Sequence, residues 1–127
     1  MYKVVVDRSH AMVNVVAEGF VTEAEIGEAA GALHGAIRSL GERAGSHVTL
    51  YDFARLDIAS PKVLARFATY FTDPIYSAIW ARRVALVTGS PLVHLQMARV
   101  RSDRVNLRVF DDRRAAIAWL LGRATVH

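Results

Sequence analysis

The chain has 127 residues, which suits one domain with one packed core. Hydrophobic residues make up 53% and charged residues 22%, with a mean hydropathy of +0.22, which excludes intrinsic disorder. Because cysteine is absent, disulfides and thiol chemistry are excluded. No apolar run reaches the roughly 18 residues of a membrane span, and residues 1–7 lack a secretory pattern. We therefore expect one soluble, cytoplasmic domain over residues 1–127.

The net charge of +4 is unevenly distributed along the chain. Residues 1–63 carry a net charge of −2 and residues 64–127 a net charge of +6, and fourteen of the sixteen basic residues are arginine. Arginine suits bidentate contacts with anions, but a compositional preference of the source genome is the favoured explanation of the bias. A nucleic-acid surface is not favoured, because the basic residues of the second half fall on three predicted elements: Arg99, Arg101, Arg104, Arg108, Arg113 and Arg114.

The first half predicts a hairpin followed by a helix. Residues 2–6 and 11–18 are rich in β-branched residues and are joined by a polar turn, a pattern typical of antiparallel strands. Thr22 and Glu25 form a capping box, and Val21 with Ile26 fits the hydrophobic staple around it. The apolar positions that follow have helical spacing: Ile26, Ala29, Ala30, Leu33, Ile37 and Leu40.

Three glycines recur at every fourth position of this helix, namely Gly27, Gly31 and Gly35. Each costs about 1 kcal/mol relative to alanine in a helix interior. Such a cost favours a close approach by a second helix, a flat ligand or a second subunit in a homodimer. A tolerated flank of small residues is the alternative. We take the three glycines as candidate interface residues.

Two buried strands are predicted, at residues 48–53 and 84–88. Each is followed by Ser-Pro, at Ser60-Pro61 and Ser90-Pro91, which indicates a helix with serine as N-cap and proline in the first turn. Asp73-Pro74 ends the first of these helices, and residues 75–81 are ambiguous, with a short helix as one interpretation.

Residues 105–109 alternate as a last strand. Asp111 is the predicted cap of a final helix that ends at Gly122. The order ββαβαβαβα predicts an α/β domain. We expect a mixed, mostly parallel sheet with the first strand antiparallel at one side and helices packed on it.

The strand-to-helix turns carry the candidate binding residues. In open α/β sheets, ligands bind beyond the carboxyl ends of the parallel strands, and helix N-termini favour anions. The predicted ligand-binding residues are therefore Ser60, Thr88, Gly89, Ser90 and His94. Simple capping by both serines is the alternative. The glycine spacing of a nucleotide-binding loop is absent.

Signals for catalysis are weaker. Asp52 and Asp57 lie near the end of the third strand, where they would act as acid and base or serve as turn residues. The five histidines show no metal-ligand spacing, and no motif predicts a cofactor. A cluster of aromatic residues would either fill the core or wall an apolar pocket: Phe67, Tyr70, Phe71, Tyr76 and Trp80.

A family resemblance rests on the element order and on three stretches of the sequence. These stretches are the run Arg82-Arg83-Val84-Ala85-Leu86-Val87-Thr88-Gly89-Ser90 and the segments Val109-Phe110-Asp111-Asp112 and Ala118-Trp119-Leu120. The chain resembles the SpoIIAA-like branch of the STAS domains (sulfate transporter and anti-sigma factor antagonist). The resemblance implies a domain that binds other proteins or small apolar ligands. The family's phosphorylatable serine lies in an Asp-Ser-Ser-Gly motif. Residues 57–62 lack that motif, although Ser60 occupies the neighbourhood.

These observations predict a non-enzymatic binding or regulatory module that recognises a partner protein or a small apolar or anionic ligand. A phosphorylation switch at Ser60 is a further hypothesis, resting on the family's serine. An enzyme using Asp52, Asp57 or His94 is the alternative.

Overall fold

The computed structural model describes residues 1–57, 60–98 and 106–123. The five strands are β1 (Tyr2–Asp7), β2 (Met12–Gly19), β3 (Val48–Leu56), β4 (Arg83–Val87) and β5 (Leu107–Phe110). The four α-helices are α1 (Glu23–Arg38), α2 (Pro61–Thr72), α3 (Pro91–Ala98) and α4 (Arg113–Leu120). Short 3-10 helices span Gly41–Arg43 and Pro74–Ile79. The predicted element order is confirmed.

The strands form one five-stranded sheet in the order β1-β2-β3-β4-β5. β1 pairs with β2 in antiparallel orientation, and the other three pairings are parallel. The predicted mixed sheet with an antiparallel first strand is therefore confirmed. Since β2 to β5 are parallel neighbours, the turns that follow them meet at one edge of the sheet.

The two faces of the sheet are covered unequally. Val13, Val15 and Tyr51 point to one face, where they share a core with α1, α2 and α3. Met12, Leu50 and Ala85 point to the other, where they pack with α4. This division follows from the two-residue period of strands, which sends neighbouring side chains to opposite faces.

The helix starts follow the capping rules. The Glu25 backbone N–H donates to Thr22 Oγ1 at 3.1 Å, and the Thr22 backbone N–H donates to Glu25 Oε1 at 3.2 Å, which confirms the capping box. The prediction that Asp111 caps the last helix is wrong, because Asp112 accepts the N–H groups of Arg114 and Ala115. One aspartate directly follows the other, so the residue pattern alone did not separate them.

The segments whose bounds were least certain differ modestly from expectation. The last strand begins at Leu107 and extends to Phe110, so its predicted range of 105–109 is displaced toward the C-terminus, and residue 105 lies outside the described residues. The ambiguous segment 75–81 is largely 3-10 helix. None of the helices in the described ranges is long and apolar enough to cross a lipid bilayer.

His47 lies fully buried just before β3. Its Nδ1 accepts the Gly45 backbone N–H at 3.0 Å. Desolvation lowers the pKa of His47, so the neutral imidazole is the folded form. The side chain thereby fixes the turn that leads into β3.

Replacing Leu120 by alanine tests the dependence of the second face on α4. Leu120 is completely buried, so Leu120→Ala should lower the free energy of unfolding by about 2–5 kcal/mol. Leu95→Ala on α3 is the matched control, because Leu95 is 57% exposed, and its effect should stay within about 0.5 kcal/mol. Urea unfolding followed by circular dichroism measures both. Equal effects would contradict this packing.

Candidate functional site

The two Ser-Pro turns lie at the same edge of the sheet, because they follow the parallel neighbours β3 and β4. Ser60 Oγ accepts the Val63 backbone N–H at 3.2 Å, and Ser90 Oγ accepts that of Val93 at 3.3 Å. Both serines therefore cap their helices. Capping was the alternative interpretation, and ligand binding by the same serines stays a prediction.

The predicted residues Thr88 and His94 support the second turn. Thr88 is 3% exposed and its Oγ1 accepts the Ser90 backbone N–H at 3.1 Å. His94 Nε2 lies 3.0 Å from the Thr88 carbonyl oxygen, which requires that this nitrogen carry the proton and donate. Gly89 is exposed, and a Cβ added there would meet open space. Hydrogen bonds from Ser90 and His94 to Thr88 thus hold the conformation of the turn.

A shallow cavity lies between these turns, with about 330 Å³ of space including its solvent-open part. Its polar lining residues are Asp57, Thr88 and Ser90. Its remaining lining is apolar and comes from β3, α2 and α3: Leu56, Leu64, Leu92 and Val93. Of the five predicted ligand-binding residues, Thr88 and Ser90 line this cavity, whereas Ser60, Gly89 and His94 lie outside its lining. We call this cavity the rim cavity.

A second cavity, partly open to solvent, lies between α1, α2 and the sheet, with about 470 Å³ of space including its solvent-open part. Its side chains are almost entirely apolar: Tyr2, Val15, Ala17, Val21, Glu25, Ile26, Ala29, Ala30, Leu33, Tyr51, Phe53, Phe67, Tyr70 and Ile79. Glu25 is the single carboxylate in this lining, and its carboxyl group binds Thr22 and the Met1 ammonium group. The space therefore suits hydrocarbon. We call it the helix cavity.

The aromatic cluster both walls this cavity and fills the core. Phe67 and Tyr70 line the cavity. Phe71 packs edge-on against Tyr51, the Tyr76 ring lies 4.7 Å from that of Tyr70, and Trp80 donates its indole N–H to the Tyr70 carbonyl at 2.7 Å. Phe71, Tyr76 and Trp80 thus support the aromatic side chains that line the cavity. The α1 and strand residues of the lining were not predicted from the sequence, in which their only signal is the run of small residues at Ala29 and Ala30.

A middle cavity of about 380 Å³ connects the surroundings of the other two. It shares Ala17, Val21, Ile26, Phe53 and Phe67 with the helix cavity. It shares Leu56, Leu64 and Val93 with the rim cavity. Apolar lining thus runs without interruption from beneath α1 to the polar turn at Ser90.

Electrostatics within the helix cavity favour neutral groups. Tyr51 is buried in its wall, and desolvation followed by repulsion from Tyr70 raises the pKa of the Tyr51 hydroxyl well above its ordinary value. A hydrogen bond from the Thr22 backbone holds the pKa of the Glu25 carboxyl below its usual range. The apolar wall therefore keeps the Tyr51 phenol neutral. The Glu25 carboxylate is stabilised by its contacts with Thr22 and the Met1 ammonium group.

The two candidate catalytic aspartates have different surroundings. Asp52 Oδ2 accepts a hydrogen bond from Arg113 Nη1 at 2.7 Å, and Arg113 Nη2 donates to Asn14 Oδ1 at 3.3 Å, which ties Asp52 to α4. Asp57 instead lines the rim cavity between α2 and α3. No cluster of three metal-ligating side chains occurs within residues 1–57, 60–98 and 106–123. An acid–base pair is therefore not assembled from these two carboxylates.

The glycines of α1 divide into two groups. A Cβ on Gly27 would lie 3.1 Å from Arg66 Nη2 of α2, whereas Cβ atoms on Gly31 and Gly35 would meet open space. Within one chain, α2 therefore approaches α1 closely at Gly27. An intermolecular interface at Gly31 and Gly35 stays a prediction.

The arginines within the described residues are dispersed over separate elements, as expected from the sequence. Arg108 lies over the Trp119 ring at 5.7 Å, and Arg113 pairs with Asp52. Arg114 is exposed on the first turn of α4. Arg99, Arg101 and Arg104 lie outside the described residues.

Alanine at either capping serine should cost stability. Ser60→Ala and Ser90→Ala each remove an acceptor for a helix N–H, and each should lower the free energy of unfolding by about 1 kcal/mol. Ser77→Ala, at an exposed serine of the second 3-10 helix, is the control and should change it by less than about 0.5 kcal/mol. Chemical denaturation gives the comparison, and unchanged midpoints for both capping variants would refute the capping role.

Comparison with known proteins agrees with this architecture. No protein-family profile matches the chain, and no curated protein matches it in sequence. Among solved structures, an uncharacterized DUF3478-family protein with a SpoIIAA-like fold from Shewanella loihica PV-4 superposes with a TM-score of 0.66 and 20% identity over 94% of this chain and 93% of that one. The unphosphorylated anti-sigma factor antagonist SpoIIAA superposes with a TM-score of 0.62 and 14% identity over 96% and 99% of the two chains. The fold of this chain is SpoIIAA-like.

Proposed function

We propose that this domain is a non-enzymatic binding module that holds a small apolar ligand between α1, α2 and the sheet. The helix cavity carries the proposal. Its lining is concave and almost entirely apolar with few polar groups, as the linings of small-molecule sites are.

The succession of cavities favours an elongated ligand. A hydrocarbon chain in the helix cavity would extend past Phe53 and Phe67 toward the rim cavity, where Asp57, Thr88 and Ser90 supply polar atoms. The Asp57 carboxylate opposes a second negative charge, whereas it accepts a hydrogen bond from a hydroxyl group. An uncharged polar end therefore fits better than an anionic end. The helix N-termini at Ser60 and Ser90 favour the anionic alternative.

Filling the helix cavity should weaken ligand binding. Ala30 lines the cavity, so Ala30→Phe should weaken the binding of dodecanol at least about tenfold, a loss of 1.4 kcal/mol. Isothermal titration calorimetry measures the affinity, with dodecanoate as the anionic comparison. Ala65→Phe, at an exposed position of α2, is the matched control and should bind as the parent chain does.

Methyl chemical shifts of the parent chain give an independent test. Dodecanol should shift the signals of Val15, Ile26 and Leu33, which line the helix cavity. If neither probe binds, or if both bind equally well to Ala30→Phe, the proposed ligand site is wrong. Tighter binding of dodecanoate would assign the anionic end to the turn at Ser90.

Recognition of a partner protein is the second candidate, and exposed leucines favour it. Leu92 and Leu95 on α3 are 48% and 57% exposed, although single exposed apolar residues are common on protein surfaces. Leu92 also lines the rim cavity, and Ser60 is exposed at the start of the neighbouring α2. Apolar side chains beside two helix starts would give a partner both contact area and polar anchors. A regulatory role would follow if ligand or phosphate altered this surface.

A negative charge at Ser60 should weaken such an interaction. Ser60→Glu imitates phosphorylation in charge, and a carboxylate beside the exposed leucines opposes the burial of that surface. Cross-linking in the source cells, quantified by mass spectrometry, should show partners retained at least about tenfold less than with the parent chain. Ser77→Glu is the matched control. Unchanged partner recovery with Ser60→Glu would dismiss the switch.

Catalysis by Asp52, Asp57 or His94 is the remaining alternative. Two of these groups are engaged in the fold: Asp52 pairs with Arg113, and His94 donates to the Thr88 carbonyl. These contacts support a structural role for both residues, and they favour the binding module over an enzyme.

A further inference from the structure

We propose that β1 pairs with β1 of a second copy of this chain, so that two five-stranded sheets join into one across a two-fold axis. β1 and β5 are the edges of the sheet. β5 has four residues, whereas β1 has six, contains no proline and pairs with β2 in unbroken register. Proteins usually protect a long, regular edge with bulges, proline or several charges, because its free backbone groups recruit other strands.

The hydrogen-bond alternation defines which backbone groups are available. The Glu18 N–H donates to the Met1 carbonyl at 2.9 Å, and the Met1 ammonium group donates to the Glu18 carbonyl at 3.3 Å. Hydrogen-bonded and non-hydrogen-bonded pairs alternate along antiparallel strands. The N–H and C=O groups of Tyr2, Val4 and Val6 therefore point away from β2 and toward the free edge.

One register of the pairing is complementary to itself. If Val5 faces Val5 of the second copy, then Val4 faces Val6, and both carry outward hydrogen-bonding groups. The same register places Lys3 of each copy opposite Asp7 of the other. Two opposite-charge pairs thus flank an apolar pair on one face, and each kind of pair stabilises neighbouring strands. Shifting the register by two residues places each Lys3 opposite Val5 or each Val5 opposite Asp7, and loses this match.

The side chains on that face are suited to the pairing. Lys3 is exposed, and Val5 is 41% exposed, a large fraction for valine in a strand. Hydrogen bonds from Ser9 and His10 lower the pKa of Asp7 to about 2, so this carboxylate is ionised at neutral pH. Its position is fixed by the same two contacts, at 2.7 Å to Ser9 Oγ and 2.8 Å to His10 Nδ1.

Helix α1 carries small side chains on the side where a second copy would lie. Glu25, Ala29, Ala32 and Ala36 recur at helical spacing, and the salt bridge of 3.2 Å between Glu25 and the Met1 ammonium group places this stripe on the β1 side. In the two-fold arrangement, the α1 helices of both copies lie on the same face and approach each other. Alanines at that point allow a short distance between the helix axes.

Sedimentation velocity over a concentration series tests the proposal. The parent chain should approach twice the 14.0 kDa mass of one chain. Lys3→Glu places like charges opposite each other twice, and should weaken dimerisation at least about tenfold. Lys62→Glu on α2, the same change at the chain's other lysine, is the control and should dimerise as the parent does.

A charge swap tests the register itself. Asp7→Lys alone should weaken the dimer, and Lys3→Asp combined with Asp7→Lys should restore it, because the opposite charges face each other again. Gly31→Leu should leave the dimer intact, which separates this surface from the glycine positions of α1. Circular dichroism confirms that each variant is folded.

Hydrogen exchange of the parent chain avoids the risk that a variant misfolds. The amides of Val4 and Val6 should exchange at least about tenfold more slowly at high than at low protein concentration. A parent chain that stays monomeric at every concentration would overturn the proposal. So would a dimer that tolerates Lys3→Glu, or one in which these two amides gain no protection.

Discussion

The parallel pairing of β2, β3 and β4 is the constraint on which the rest of the molecule depends. In-register pairs such as Val13 with Thr49 and Thr49 with Val84 bring three strand ends to one edge. The helices that follow β2 and β3 must then return across the same face. The position of α1 and α2, the space between them and the meeting of the two Ser-Pro turns all follow from that arrangement.

The two faces of the sheet are covered unequally, by three helices on one face and by α4 on the other. The face under α4 buries Leu50, Ala85 and Leu120 completely, and the Arg113 contacts with Asp52 and Asn14 hold α4 in place. On the opposite face, small residues of α1 meet large aromatic residues of α2 without filling the space between them. The proposed ligand site therefore lies on the face with three helices.

Local signals in the sequence predicted the fold well, because they act over a few residues. Thr22 with Glu25 and Ser60 with Pro61 determine where helices begin. Contacts between distant residues were not predictable in this way. Asp52 binds Arg113 of α4, which lies 61 positions later in the chain. The nearness of Asp52 to Asp57 in the sequence therefore did not reveal this contact. The helix cavity also escaped sequence analysis in part, since Val15, Ala30 and Phe67 come together only through the crossover connections.

The proposal of an apolar ligand site between α1, α2 and the sheet is tested most directly by diffraction from crystals pressurised with xenon. Xenon enters apolar cavities without needing a particular ligand. Xenon should occupy the space between Ala30, Val15 and Phe67 in a well-ordered site. The polar turn at Ser90 should remain without xenon. A filled, xenon-free core beneath α1, with side chains closing the space, would contradict the assignment of this face to ligand binding.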